Sequence, residues 1–299
     1  MIPPSMARAD WLRLILLSVL WGGSFYFNAL AVPHLPAITI VWGRVTLAAV
    51  IVAGLVVASG ARFPAGWRNW RALLYVGTFN CALPFTLIVV AQGTITSATA
   101  SILNATAPLF TVVVAHLLTR DERMTRAKVA GLAVGFAGVA VMMGGAAIVA
   151  GADVVVAQMC SLAAAASYAF GSVRARRMGV EGMAPVTLAF GQVVMAALVL
   201  TPLMLVVDRP WTLPMPPVSA WLAIGALAAL STALAYHLYF KVLAAAGAVN
   251  VQLVTFLVPV SAILLGVVLL GESLGVRQVA GMALIGLGLV ALDGRIWRR

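Results

Sequence analysis

Apolar residues in this chain do not alternate with polar ones in the two-residue rhythm of a half-buried strand. They form long runs cut by short breaks rich in Arg, Pro and Gly. A helix needs about 20 apolar residues to cross the hydrocarbon core of a bilayer. The breaks leave runs of that size at 12–31, 37–58, 70–91, 95–118, 127–147, 154–173, 184–206, 219–241, 247–270 and 276–293. Ten membrane-crossing helices are predicted. The runs are too long and too continuous for the short alternating strands of an outer-membrane barrel, so the expected fold is an all-α integral membrane protein.

Composition agrees. The chain is 63% hydrophobic and 9% charged with mean hydropathy +1.09, whereas soluble domains are about a quarter charged. A net charge of +11 raises the question of a nucleic-acid partner. None is expected, because the basic residues form no stripe interleaved with aromatics. They cluster between the apolar runs, and 16 of the 19 lie at one set of alternate ends, from Arg8 and Arg13 through Arg68, Arg123 and Arg174 to Arg298 and Arg299. The opposite ends carry only Arg209 and Arg277, and Arg44 lies inside a run. By the positive-inside rule both termini are cytoplasmic and the number of crossings is even. A bacterial inner membrane is the natural host. Cys81 and Cys160 fall within apolar runs and read as small buried hydrophobes.

The chain also repeats itself. The fourth run reads SATASILNATAPLFTVVVAHLL around Pro108 and the ninth AVNVQLVTFLVPVSAILLGVVLL around Pro259. With the prolines aligned, Ser97, Ser101 and Asn104 fall on Ala248, Gln252 and Thr255, each set on one helical face. After each run an acidic residue, Glu122 or Glu272, precedes by nine positions a glycine, Gly131 or Gly281, that opens a small-residue helix. Five crossings separate the copies, an odd number, so the second copy is inverted relative to the first. The division falls at residues 1–148 and 149–299.

LWGGSF in the first run, the mid-run prolines, DER and GES after them, and the glycine-rich fifth and tenth runs resemble the EamA-type branch of the drug/metabolite transporter superfamily. Within it, the aromatic amino-acid exporter group is the nearest likeness. The resemblance spans essentially the whole chain. It implies a ten-helix inverted repeat, a central cavity walled by spans one, three, four, six, eight and nine, and export of metabolites or drugs. One departure is SYAFGS in the sixth run, with Tyr168 where Trp21 stands in the first.

Enzyme chemistry has little to work with. The two lysines, Lys128 and Lys241, follow no phosphate-binding glycine pattern, and His34, His116 and His237 lie far apart. No catalytic residue, metal site or cofactor is expected. What remains is a set of polar stripes within apolar runs, which lipid does not reward. Trp21, Ser24 and Asn28 share a face, as do Tyr168 and Ser172; Asn80 lies in the third run, Ser101 and Asn104 in the fourth, Tyr236 and Tyr239 in the eighth, and Gln252 in the ninth. Each alone serves equally for bonding between helices; together they suggest a shared substrate cavity. Pro108 and Pro259 are candidate hinges or gates. Arg44 either caps carbonyls or snorkels, or else meets a substrate carboxylate, since no Asp or Glu lies mid-run to pair with it. His237 is the one candidate for proton coupling, and a facilitator or exchanger is expected.

The partners expected are therefore a small-molecule substrate and the lipid bilayer, with amino acids, aromatic ones included, first among substrates and drugs or nucleosides as the alternative. A channel lacks its selectivity ring, and an embedded enzyme lacks its nucleophile. No feature of the sequence points to an oligomeric state.

Overall fold

The computed structural model describes residues 7–119, 124–143, 151–178 and 182–293, and every regular element among them is helical. Seven helical segments are long and apolar enough to cross a membrane: Arg8–Ala31, Ala37–Ala58, Trp67–Gln92, Ser97–Leu118, Ala152–Ala175, Pro185–Thr212 and Val218–Gly247. Lys128–Met143, Val254–Leu270 and Val276–Leu292 are shorter apolar helices. In chain order these are spans one to ten, with Lys128–Met143 the fifth.

The predicted runs and the spans agree closely, with one instructive difference. Lys241 does not end span eight; the helix continues past it and is interrupted at Gly247, at φ 81 and ψ 166. Glycine adopts that conformation without a Cβ penalty, whereas a lone exposed Lys at a helix end simply reaches for the headgroups. The predicted end of span five, at 147, and the acidic residue Glu122 lie outside the described residues.

Spans three and eight each contain a π-helical turn, Thr78–Ala82 and Ala229–Leu234. With the repeats in register Thr78 falls on Ala229. In span three Pro84 follows immediately and lacks the N–H for a regular bond, but span eight has no such proline. Span four breaks at Ala105 and Thr106, placing Pro108 second in its next helix, Ala107–Leu118. Pro259 instead lies inside the continuous helix Val254–Leu270.

The two halves exchange partners. Span one packs on spans eight and nine, span six on spans three and four, span two on span seven, and span five on span ten. Swapping the repeats maps this set of neighbours onto itself, which is the signature of an inverted duplication. In lipid no hydrophobic force drives helices together, so close backbone approach through small residues does the work. Spans five and ten meet in this way: a Cβ on Gly138 would sit 2.8 Å from the Gly281 carbonyl oxygen, and one on Gly288 would sit 2.6 Å from that of Gly131.

Contacts between distant parts of the chain define two ends of the bundle. At one end the start of span one and the Gly247 break pack together through Leu14, Ala246 and Val254; this is called the terminal end. There the Thr187 hydroxyl donates to the Arg62 carbonyl over 2.8 Å. At the far end Asp208 accepts from both the backbone N–H and the hydroxyl of Thr39, each at 2.7 Å.

Candidate functional site

Arg44 projects from span two into the middle of the bundle. Its side chain does not snorkel: the residue is 5% exposed, and Nε donates to the Thr232 hydroxyl at 2.9 Å while Nη2 approaches the Ser231 carbonyl at 3.4 Å. Both acceptors belong to the π-helical turn of span eight, where the Thr232 hydroxyl in turn donates to the Leu227 carbonyl. On its other face the guanidinium lies 3.9 Å from the centroid of the Phe85 ring, a cation–π geometry that strengthens away from water. Tyr168, Tyr236 and Cys81 complete the surroundings, with the Tyr236 hydroxyl 3.5 Å from the Cys81 sulfur. Among the described residues the one ion pair is Arg13 with Asp10, near the start of span one. The central cation therefore has no carboxylate beside it.

Buried oxygens without hydrogen-bond partners occur through the bundle: Asn28 Oδ1, Thr46 Oγ1, Asn80 Oδ1, Asn104 Oδ1, Gln158 Oε1, and the Ser161 and Ser231 hydroxyls. Unmet buried polar atoms are costly, and these fall on spans one, two, three, four, six and eight. Asn80 presses on Gly171 of span six, where a Cβ would overlap its Oδ1.

An aromatic ladder connects the centre to the terminal end. The Trp21 and Tyr239 rings are 5.6 Å apart, Tyr239 and Phe240 5.2 Å, and Tyr236 and Phe240 6.3 Å. Beside Tyr236 and Phe240 opens a cavity of about 270 Å³, bounded by Val52, Pro185, Ala189, His237 and Lys241 among others. His237, Lys241 and Pro185 are exposed at its mouth. A second groove, between spans two and seven, has the Trp42 indole bonded to Thr201 at 2.9 Å; its apolar lining suits acyl chains.

The far end is built differently. Asn28 Nδ2 donates to Gln92 Oε1 at 3.0 Å, and Gln92 Nε2 donates to the Phe25 carbonyl at 2.8 Å and to the Ser97 hydroxyl at 3.1 Å. All three polar side chains are buried. Above them both carboxylate oxygens of Glu272 accept from the first N–H groups of span four, Ser97 at 2.8 Å and Ala98 at 3.0 Å.

Residues 11–144 and 156–292 each match the EamA-like transporter family. This chain belongs to that family. An EamA-like domain thus occurs twice, filling most of the chain, and the protein is a multi-pass membrane protein of a transporter class. An uncharacterized transporter of Archaeoglobus fulgidus is 27% identical over 93% of this chain and 96% of its own length. Protein PecM of Dickeya dadantii is 25% identical over 91% and 88%, and the uncharacterized inner membrane transporter YedA of Escherichia coli 25% over 87% and 83%. A solved crystal structure superposes with TM-score 0.67 over 97% of this chain and 98% of that one, at 20% identity, which speaks for the fold.

Within this EamA fold the residues singled out from the sequence separate into groups. Arg44, Tyr168 and Tyr236 meet at the centre; Asn80, next to Cys81 in the chain, and Asn104 on span four each carry an unpartnered buried oxygen. Trp21 and Tyr239 form part of the ladder. Ser24 and Ser101 spend their hydroxyls on carbonyls of their own helices, Trp21 and Ala98, and Asn28 belongs to the far-end network. Ser172 and Gln252 are exposed toward the terminal end, Ser172 bonding to the Ala169 carbonyl. Sequence reasoning missed Phe85 and Cys81 as neighbours of Arg44. It also missed Gln92, which sat at the edge of an apolar run and read as a boundary.

Proposed function

We propose that this protein exports small organic metabolites from the cytoplasm, amino acids first among them and aromatic ones included, by alternating access around the Arg44 centre. The carrying observation is a buried guanidinium with no carboxylate beside it, ringed by Phe85, Tyr168 and Tyr236. A zwitterion needs a cationic donor for its carboxylate, acceptors for its ammonium and an apolar surface for its side chain. Arg44, the unpartnered oxygens of Asn80, Asn104 and Ser231, and the aromatic rings are of those three kinds. Two pseudo-symmetric halves can expose such a midplane site to either side in turn.

The topology proposed is ten crossings with both termini in the cytoplasm of a bacterial inner membrane, supported by the skew of basic residues. Single cysteines at Pro33, Asp153 and Asp208 are expected to react with an impermeant maleimide added outside sealed cells, and one at Arg68 to stay protected. Reaction at Arg68 would reverse the orientation.

Function is tested by counterflow in liposomes holding the purified protein, with labelled phenylalanine, tryptophan, leucine and uridine. Saturable exchange of the amino acids supports the proposal. Exchange of uridine alone moves the substrate to nucleosides, and no exchange of any of them removes the amino-acid reading. Arg44 and the rings, rather than a titrating mid-span carboxylate, are the features from which a facilitator or exchanger is proposed, and accumulation that follows an imposed pH gradient would overturn that part.

A further inference from the structure

We infer that Glu272 is the latch of the far-end gate: its carboxylate holds span four shut against the turn between spans nine and ten, and each transport cycle must release it. The inference uses the transporter reading but not the identity of the substrate.

Four features of the chain converge on this contact. Span nine ends at Gly271, whose φ of 67 turns the chain back on itself. Glu272 then folds over Gly266, its N–H donating to the Gly266 carbonyl at 3.0 Å. Gly266 is the notch that admits the side chain, since a Cβ there would lie 2.6 Å from Glu272 Oε2. The carboxylate so placed takes the N–H groups of Ser97 and Ala98, which begin a helix and have no partner within it. Negative charge is favoured at that position by the helix dipole, and charge-assisted bonds are the stronger kind. A fifth contact braces the same turn: Gln278 Nε2 donates to the Thr99 hydroxyl at 3.2 Å.

The contact ties two parts of the chain that an inverted-repeat transporter must move apart. Span four belongs to the first repeat and the Gly271 turn to the second. Directly beneath lies the buried Asn28–Gln92–Ser97 network, so parting the latch opens a path from the far end toward the centre. In the first repeat, with the prolines in register, Ala115 stands where Gly266 makes the notch; its acidic residue, Glu122, lies outside the described residues.

Glu272 acts by positioning span four and does not touch the solute, so its test reads accessibility at both ends. In a background carrying Cys81→Ala and Cys160→Ala, a single cysteine replaces Ser101, buried one turn below the latch. A second protein carries a single cysteine at Ala244, in the cavity wall at the terminal end. An impermeant maleimide is applied to reconstituted protein of known orientation. Glu272→Gln keeps the shape and removes the charge, and is expected to speed labelling at position 101 by about tenfold, the population shift that losing one charge-assisted bond produces. Labelling at position 244 is expected to slow. Gly266→Ala fills the notch and displaces the carboxylate without removing its charge, and is expected to do the same, while Glu272→Asp, which retains the charge, recovers part of the native pattern. A merely structural role would raise labelling at both ends together. That result, or unchanged labelling at position 101 in both variants, overturns the inference.

Discussion

The two ends of the bundle share a scaffold and differ in chemistry. At the far end Asn28, Gln92 and Ser97 bond to one another under Glu272. The positions that the repeat brings into register with them at the terminal end are Ala175, Leu243 and Ala248, none of which carries a polar side chain. There the cavity beside Tyr236 opens, and Ser172, His237, Lys241 and Gln252 are exposed. Apolar pattern and glycine spacing are duplicated, so the scaffold is symmetric. The buried Asn28–Gln92–Ser97 network is not duplicated at Ala175, Leu243 and Ala248, so the two ends differ in their polar bonding. With the termini in the cytoplasm, as proposed, the cavity beside Tyr236 would open toward the cytoplasm.

The largest effect is expected where the ends meet. Arg44→Leu removes the central cation and leaves the Ser231 carbonyl and Thr232 hydroxyl without their donor; losing a buried charged hydrogen bond of about 3 kcal/mol corresponds to roughly a hundredfold loss of exchange. Counterflow at matched protein density measures it, and near-native rates would move the site away from span two.

A smaller effect separates the ends directly. Gln92→Leu strands the Asn28 amide, leaves the Ser97 hydroxyl only its bond to the Phe25 carbonyl, and should weaken the far end by about 2 kcal/mol. The expected readout is a lower melting temperature together with faster maleimide reaction from that side. Leu243→Gln makes the reciprocal change at the terminal end. It should leave far-end labelling within about twofold of native, because Leu243 packs at the opposite end of the bundle and distant sites act independently. Equal responses to the two variants would show that the ends are equivalent after all.

The smallest effects belong to the terminal end. Ser172→Ala and Gln252→Ala alter exposed side chains, and exchange should stay within about twofold of native. A tenfold loss in either would bring that residue into the path of the solute.

Much of the fold was legible because run length and charge placement are direct consequences of the bilayer. A segment must be about 20 residues long and its cations must stay on one side. Lys241 misled because a charge near a helix end was taken for the end, whereas Gly247 sets it. Arg44, Tyr168 and Tyr236 were legible as polar or amphipathic groups out of place in lipid. Phe85 and Cys81 were not, since an apolar residue gains its role only from what a distant segment brings beside it. Glu272 was visible as a repeat marker in a loop. Its reach back to Ser97 depends on the Gly271 turn and the Gly266 notch, and neither is recognisable until span nine is seen ending against span four.

The matched π-helical turns of spans three and eight carry a record of descent. Each turn holds one residue more than an α-helix of the same rise, as a single-codon insertion would leave. Because the turns stand at corresponding positions of the two copies, Thr78 against Ala229, one insertion in an undoubled ancestor accounts for both. Gly266 and Gln92 stand against Ala115 and Leu243 in the other copy, so at those positions the copies have diverged since the doubling. In this lineage the bent centre is the shared inheritance, and the two doors are where the copies parted.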